Sequence, residues 1–271
     1  MLDIPRILAG LALSTLIGGI AYRRRALTRG GWLGAALTGT LTFGLGGWAW
    51  GLTLIAFFVT SSALSRFRQA RKQQLAGEKF EKGGRRDLLQ ALANGGAGGL
   101  LALAYGLSGE QPILLAAFAG IMATVTADTW ATELGVLSPR PPRLVTSWRV
   151  VEPGTSGGVT AYGLAATAAG ALMIGMVLLV AGAIERGVWA PWLLAAALLG
   201  GIGGSLADSL LGAIVQAIYR VPGGGETERP TAPDGTPNPR IRGWRWMNND
   251  LVNFLSSLAG GFIALGIWRL L

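Results

Sequence analysis

Long apolar runs alternate with short polar segments along the whole chain. The runs cover 3–21, 31–48, 50–65, 88–107, 111–135, 156–182, 189–219 and 248–268. A helix of about 20 apolar residues crosses the hydrocarbon layer of a bilayer. The pattern therefore predicts an all-α, polytopic bundle of eight transmembrane helices. The count falls to seven if 31–48 and 50–65 form one hairpin with short arms. A single membrane domain accounts for residues 1–271, with 66–87 and 220–247 as its long cytoplasmic loops. The first run is followed by Arg23, Arg24 and Arg25 and by no small-residue cleavage site, so it reads as a spanning helix, not a signal peptide. The stretch "VPGGGETERPTAPDGTPNPR" is rich in Pro and Gly and has almost no periodicity, which predicts a mobile flap or partial disorder.

Composition agrees: 51% of the residues are hydrophobic and 14% are charged, against roughly a quarter charged in soluble domains. The net charge of +9 would suggest nucleic acid if it were spread evenly. It is not. With residue 1 outside, the inside loops 22–30, 66–87, 136–155 and 220–247 hold all but Arg6, Arg186 and Arg269 of the 23 Lys and Arg residues. Such a bias is the positive-inside signature. It predicts both termini outside, a basic cytoplasmic face and no nucleic-acid partner. The chain has no cysteine and no histidine, which excludes disulfides, thiolate chemistry, histidine bases and the usual zinc sites. Carboxylates, amides, hydroxyls and basic side chains remain. That palette suits a hard cation such as Mg²⁺.

Polar residues inside apolar runs are costly and point to function. Four groups stand out, all in the inner half of the membrane. "ADTWATELG" places Asp128 near the inner end of the fifth span, with Glu133 at the interface. A carboxylate there meets the negative end of the helix dipole and calls for a cation; pairing with an arginine or a serine is the structural alternative. "GGIGGSLADSLLG" places Asp208 in a similar setting, 80 positions on, with Gln216 on its face. This spacing suggests that the fifth and sixth spans repeat as the seventh and eighth, while the glycines suit close helix packing. "PGTSGG" puts Gly154, Thr155, Ser156, Gly157 and Gly158 ahead of the sixth span, with Arg149 upstream. Thr155 or Ser156 can cap that helix, and such a turn before a helix suits an anion. "NNDLVNFLSS" offers two polar faces, Asn249–Asn253–Ser256 and Asp250–Asn253–Ser257. Asp87, Gln90 and Asn94 repeat the second spacing ahead of the fourth span, so a dry polar network between the two is an alternative. Asp128, Asp208 and Asp250 converging at one face would need divalent cations to offset their repulsion.

In this order, "RRDLLQALANGG", "ADTWATELG", "PGTSGG", "GSLADSLLGA" and "NNDLVNFLSSL" resemble a family of integral membrane proteins that includes the plant phytyl-phosphate kinase. More distantly the layout is similar to CTP-dependent polyprenol kinases and CDP-diacylglycerol synthases. The resemblance implies phosphoryl transfer from CTP or another nucleoside triphosphate to a prenyl monophosphate, with Mg²⁺. Asp128, Asp208 and Asp250 would be catalytic and, with Glu133, would hold the metal. Asn249, Asn253, Asn94 and the 154–158 turn would bind nucleotide and phosphate. Lys82, Arg85, Arg86 and Arg149 would supply positive charge. The prenyl tail would lie between helices among membrane lipids, and a homodimer is compatible with the pattern. A cytidylyltransferase and a lipid or ion transporter are the competing readings.

Overall fold

The computed structural model describes residues 3–77, 79, 84–221 and 224–271. Among them are nine α-helices: α1 Ile4–Arg23, α2 Arg29–Leu41, α3 Trp48–Arg66, α4 Gln69–Ala76, α5 Leu88–Leu107, α6 Pro112–Gly135, α7 Ala161–Arg186, α8 Trp192–Ile214 and α9 Asn249–Leu270. Seven of them are long and apolar enough to cross a bilayer. The expected span at 31–48 is shorter. It is the 13-residue α2, continued by a π-helical turn over Thr42–Gly46 and ended by Gly47 at φ 98°. This element still runs the length of the bundle. Its start pairs with Arg86, through Thr28 N–H to Arg86 O at 2.9 Å, and its turn packs on Ile7 at the other end.

The chain caps its helices with local side chains. Asp3 accepts from Arg6 N–H at 3.0 Å, and Thr28 from Gly31 N–H at 3.1 Å. Asp87 and Gln90 form a capping box at the head of α5, so two of the three residues expected to form a polar stripe close a helix end instead. Gln90 and Asn94 still line the interior of the bundle. Glu185, at the end of α7, accepts from Trp48 and Ala49 N–H at 2.8 and 3.0 Å. A carboxylate at a helix N-terminus is electrostatically favourable, and this one joins α3 to α7. Beside it Arg186 bonds Tyr105 and, at 3.0 Å, Glu110. Together these groups close one end of the bundle.

α6 is the hub: two-thirds of its most apolar stretch is buried (67%), against 17% for α1. Ala116, Ala119, Ala123 and Ala127 are almost fully buried, so α7, α8 and α9 all approach it closely. Trp50, Tyr105 and Phe118 fill the half nearer Arg186, with the Trp50 and Phe118 rings 4.0 Å apart. α1 packs on α2 and its π-helical turn at the periphery.

The other end of the bundle is covered by two small sheets. Strands β1 Arg143–Leu144 and β2 Gly158–Val159 pair antiparallel. Strands β3 Ile218–Val221, β4 Gly225–Thr227 and β5 Arg240–Arg242 form an antiparallel sheet with β3 in the middle. The described residues of 220–247, expected to form a flap, fold over this end as a cover. Its backbone polar groups have partners: Glu228 N–H donates to Lys79 O at 2.8 Å, and Trp244 N–H to Val215 O at 2.9 Å. The stacked pair Trp244 and Trp246, with Trp148, lies exposed at this end.

Candidate functional site: a carboxylate pair beneath a glycine-rich turn

α6 and α8 run side by side with matching residues in register. Gly120, Thr124 and Asp128 recur at i, i+4 and i+8 on α6; Gly200, Gly204 and Asp208 do so on α8. Positions four apart lie on one helix face. The glycines let the backbones touch: a Cβ on Gly200 would lie 3.0 Å from Gly120 Cα, and one on Gly204 would collide with Thr124. Thr124 Oγ1 instead donates to Gly120 O at 2.8 Å and reaches Gly200 O at 3.1 Å. Gly260 of α9 enters the same seam. One turn further on, Asp128 and Asp208 line one cavity together. Ser256 of α9 donates to Asp208 Oδ2 at 2.9 Å.

The pair sits at the bottom of a cavity of about 380 Å³ that opens at the sheet-covered end. Facing it is the 153–158 turn. Gly154 and Gly157 have φ of 79° and 83°, a region that favours glycine. A Cβ on Gly157 would also lie 2.5 Å from that of Ala213. Gly157 O accepts from Val145 N–H at 2.9 Å, and Ser156 Oγ donates to Gln216 Oε1 at 2.6 Å. Lys79 Nζ donates to Thr155 Oγ1 at 3.1 Å and to Glu152 at 2.7 Å; the lysine holds the Glu152 carboxyl below its ordinary pKa. α7 begins five residues later than expected, at Ala161. Its cap is Thr160, which accepts from Gly163 N–H at 2.9 Å, not Thr155 or Ser156, because the 158–159 backbone is taken up by β2.

Of the residues singled out in the sequence, Asp128, Asp208, Glu133, Arg86, Asn94, Asn249, Asn253 and the whole 154–158 turn line this cavity. Glu133 is held by Lys72 and Ser65. Arg86 donates to Ser62 Oγ at 2.8 Å and lies over the rings of Phe57 and Phe58. Burial lowers its pKa, with the charge of Glu133 opposing; a guanidinium nevertheless stays protonated in proteins. Three expected residues lie elsewhere. Asp250 borders a separate groove with Trp246 and Leu89. Arg85 bonds Leu27 O at 3.0 Å beside the Tyr22 ring. Arg149 is exposed at the turn after β1. Lys82 lies outside the described residues.

Sequence reasoning missed Lys72, Ser205, Ser209, Glu228 and Arg229, which also line the cavity. Glu228 accepts from Gln216 Nε2 at 2.8 Å, so the cover contributes side chains to the site. The only signal for Glu228 and Arg229 was their charge among the prolines and glycines of the 220–247 segment.

Residues 12–261 match the model of a family described as "Integral membrane protein DUF92". The chain belongs to the DUF92 family of integral membrane proteins. This DUF92 chain is similar to Protein PGR of Arabidopsis thaliana, 33% identical over 95% of this chain and 94% of that protein. It is 28% identical to an uncharacterized membrane protein of Methanocaldococcus jannaschii, over 97% and 94% of the two chains. It is 25% identical to the chloroplastic Protein VTE6 of Arabidopsis thaliana, over 88% of this chain and 64% of the relative. No solved structure matches the chain.

Proposed function

We propose that this protein is a Mg²⁺-dependent prenyl-phosphate kinase. It transfers a phosphoryl group from CTP or another nucleoside triphosphate to a prenyl monophosphate, at the cytoplasmic face of a cell membrane, with both termini outside. The observation that carries this reading is the Asp128–Asp208 pair facing the glycine-rich turn across one polar cavity. Two adjacent carboxylates ask for a divalent cation, and the turn with the basic groups around it suits phosphate. The resemblance to the phytyl-phosphate kinase family supports the choice of substrate.

The donor set fits the metal. Among the described residues no three acidic side chains form a ready metal cluster. Mg²⁺ does not need one, since it usually takes one or two carboxylates and completes its shell with water and substrate phosphates. Asp128 and Asp208 would hold it, and when bound it would neutralise charge on the transferring phosphoryl group. A phosphate oxygen of the prenyl monophosphate attacks the γ-phosphorus. A new P–O bond forms, the bond to the bridging oxygen breaks, and the nucleoside diphosphate leaves with the electron pair. The attacking oxygen is already anionic near neutral pH, so no histidine base is needed. Ser256 orients Asp208, Thr155 and the 156–157 backbone hold nucleotide phosphates, Asn249 and Asn253 orient the nucleotide, and Arg86 faces the lipid phosphate. The sealed seam of Gly120, Gly200 and Gly260 behind the carboxylates favours chemistry at one face over passage through the bundle.

The test is purified protein with Mg²⁺, CTP and phytyl or geranylgeranyl monophosphate. Prenyl diphosphate together with CDP is the expected result. Pyrophosphate and a CMP-linked lipid would point to the cytidylyltransferase, and no product from any triphosphate with any prenyl phosphate would overturn the proposal.

A further inference from the structure

A second cavity, of about 210 Å³, lies against the first. Arg86, Gln90 and Asn94 line both. Past these three residues the chemistry changes from polar to hydrocarbon. The second cavity is walled by Leu13 and Ile17 of α1, by Leu52 and Ile55 of α3, and is backed by α2 and α5. α1 leans on α2 more than on α3, which leaves a slot between α1 and α3, with Leu13 and Leu52 over a third exposed on its two sides. The slot runs from Phe58, beside the Arg86 guanidinium, to Phe43 and Trp48 near the other end of the bundle. Ten helical residues separate Phe58 from Trp48, a length of about 15 Å.

We infer that this slot holds the hydrocarbon tail of the lipid substrate, with Arg86, Gln90 and Asn94 as the threshold between tail and phosphate. The inference rests on the kinase reading for the identity of the polar site and adds the path of the lipid. An occupant must be an amphiphile with a single apolar chain and an anionic head, because one end of the slot is hydrocarbon-lined and the other presents a cation. Arg86 fits that head. Its guanidinium donates to Ser62, and among the described residues no carboxylate lies within ion-pair distance. Its stem and plane lie on Phe57 and Phe58, so it meets both polar and apolar surroundings. The other apolar groove, between α5 and α9, has Asp250 on its wall. Among the described residues no Lys or Arg lines that groove, whereas Arg86 lines the slot, so charge separates the two grooves.

Two measurements test this. Leu52→Trp and Ile55→Trp narrow the slot without touching the polar cavity. Each is expected to lower the ratio of kcat/KM for a C20 over a C10 prenyl monophosphate by tenfold or more. An unchanged ratio in active variants would overturn the tail path while leaving the kinase reading intact. The second measurement does not depend on turnover. A prenyl monophosphate with a photoreactive group on its tail is cross-linked to the wild-type protein in detergent and the adducts are mapped. Adducts on Leu13, Ile17, Leu52 or Ile55, competed by unlabelled prenyl monophosphate but not by the matching alcohol and lost in Arg86→Gln, are expected. Adducts spread over the lipid-facing surface, or gathered beside Asp250, would overturn it. Specific adducts with no phosphoryl transfer would keep the lipid site and overturn the kinase.

Discussion

Asp208 is the better supported of the two acidic residues, since it has Ser256 as a hydroxyl partner. Groups that orient a metal ligand typically contribute about 10–100-fold to metal affinity or activity. Ser256→Ala is therefore expected to weaken Mg²⁺ dependence by about that factor, read from turnover against Mg²⁺ concentration. Asp128→Asn removes a proposed ligand and should cost more than about 100-fold, with the melting temperature in detergent retained or raised because two carboxyl groups no longer face each other. Retained activity would remove Asp128 from the metal site. Glu152 gives a pH signature. Lys79 depresses its folded-state pKa from the ordinary value of 4.5. The stabilisation is present above that value and is lost as pH falls through the lower folded value. Acid titration of melting temperature should show this loss in the wild type and not in Glu152→Gln. The effect will be small, because the Glu152 side chain is 76% exposed and solvent screens the pair.

At the level of elements, the α6–α8 seam is what places the two carboxylates. Gly204→Ala puts a methyl group into Thr124 and should destabilise the protein by about 1–3 kcal/mol, as overpacking does. It should also lower activity by spreading the acidic pair. Thermal unfolding and turnover of the same preparation check both. The long apolar helices, both aspartates and the glycine-rich turn were legible in the sequence because they follow from length, periodicity and local chemistry. What was not legible depended on partners distant in the chain. Asp250 and Asn249 are neighbours about 100° apart around α9, and the sequence offered both faces equally. Packing chose Asn249, Asn253 and Ser256. The 220–247 segment has no internal periodicity, yet Glu228 and Trp244 tie it to Lys79 and Val215. The capping box of Asp87 and Gln90 was readable by a local rule and was passed over for a longer stripe.

For the molecule as a whole, the two ends differ in kind. One is closed by Glu185, Arg186, Tyr105 and Glu110. The other carries the cavity, most of the basic residues and the exposed Trp148, Trp244 and Trp246, side chains that favour the headgroup level. The chain has no cysteine, so a single introduced thiol is an unambiguous reporter. Thr132→Cys, at the cavity wall, should react with a membrane-impermeant maleimide in inside-out vesicles and be spared in right-side-out ones; the reverse pattern would invert the proposed orientation. Nucleotide with Mg²⁺ should slow that reaction.

The register between α6 and α8 also sets a timetable for synthesis. Asp128 leaves the ribosome 80 residues ahead of Asp208, an interval of roughly 4–16 s at translation rates of about 5–20 residues per second. The contact between Thr227 and the Lys79 backbone joins positions 148 residues apart, so the cover closes later still after its anchor has emerged. For those seconds α6 carries an acidic side chain and a bare glycine face with no matching helix beside it. Insertion must keep it in place until α8 arrives, so the site is assembled in chain order around a helix that has already waited.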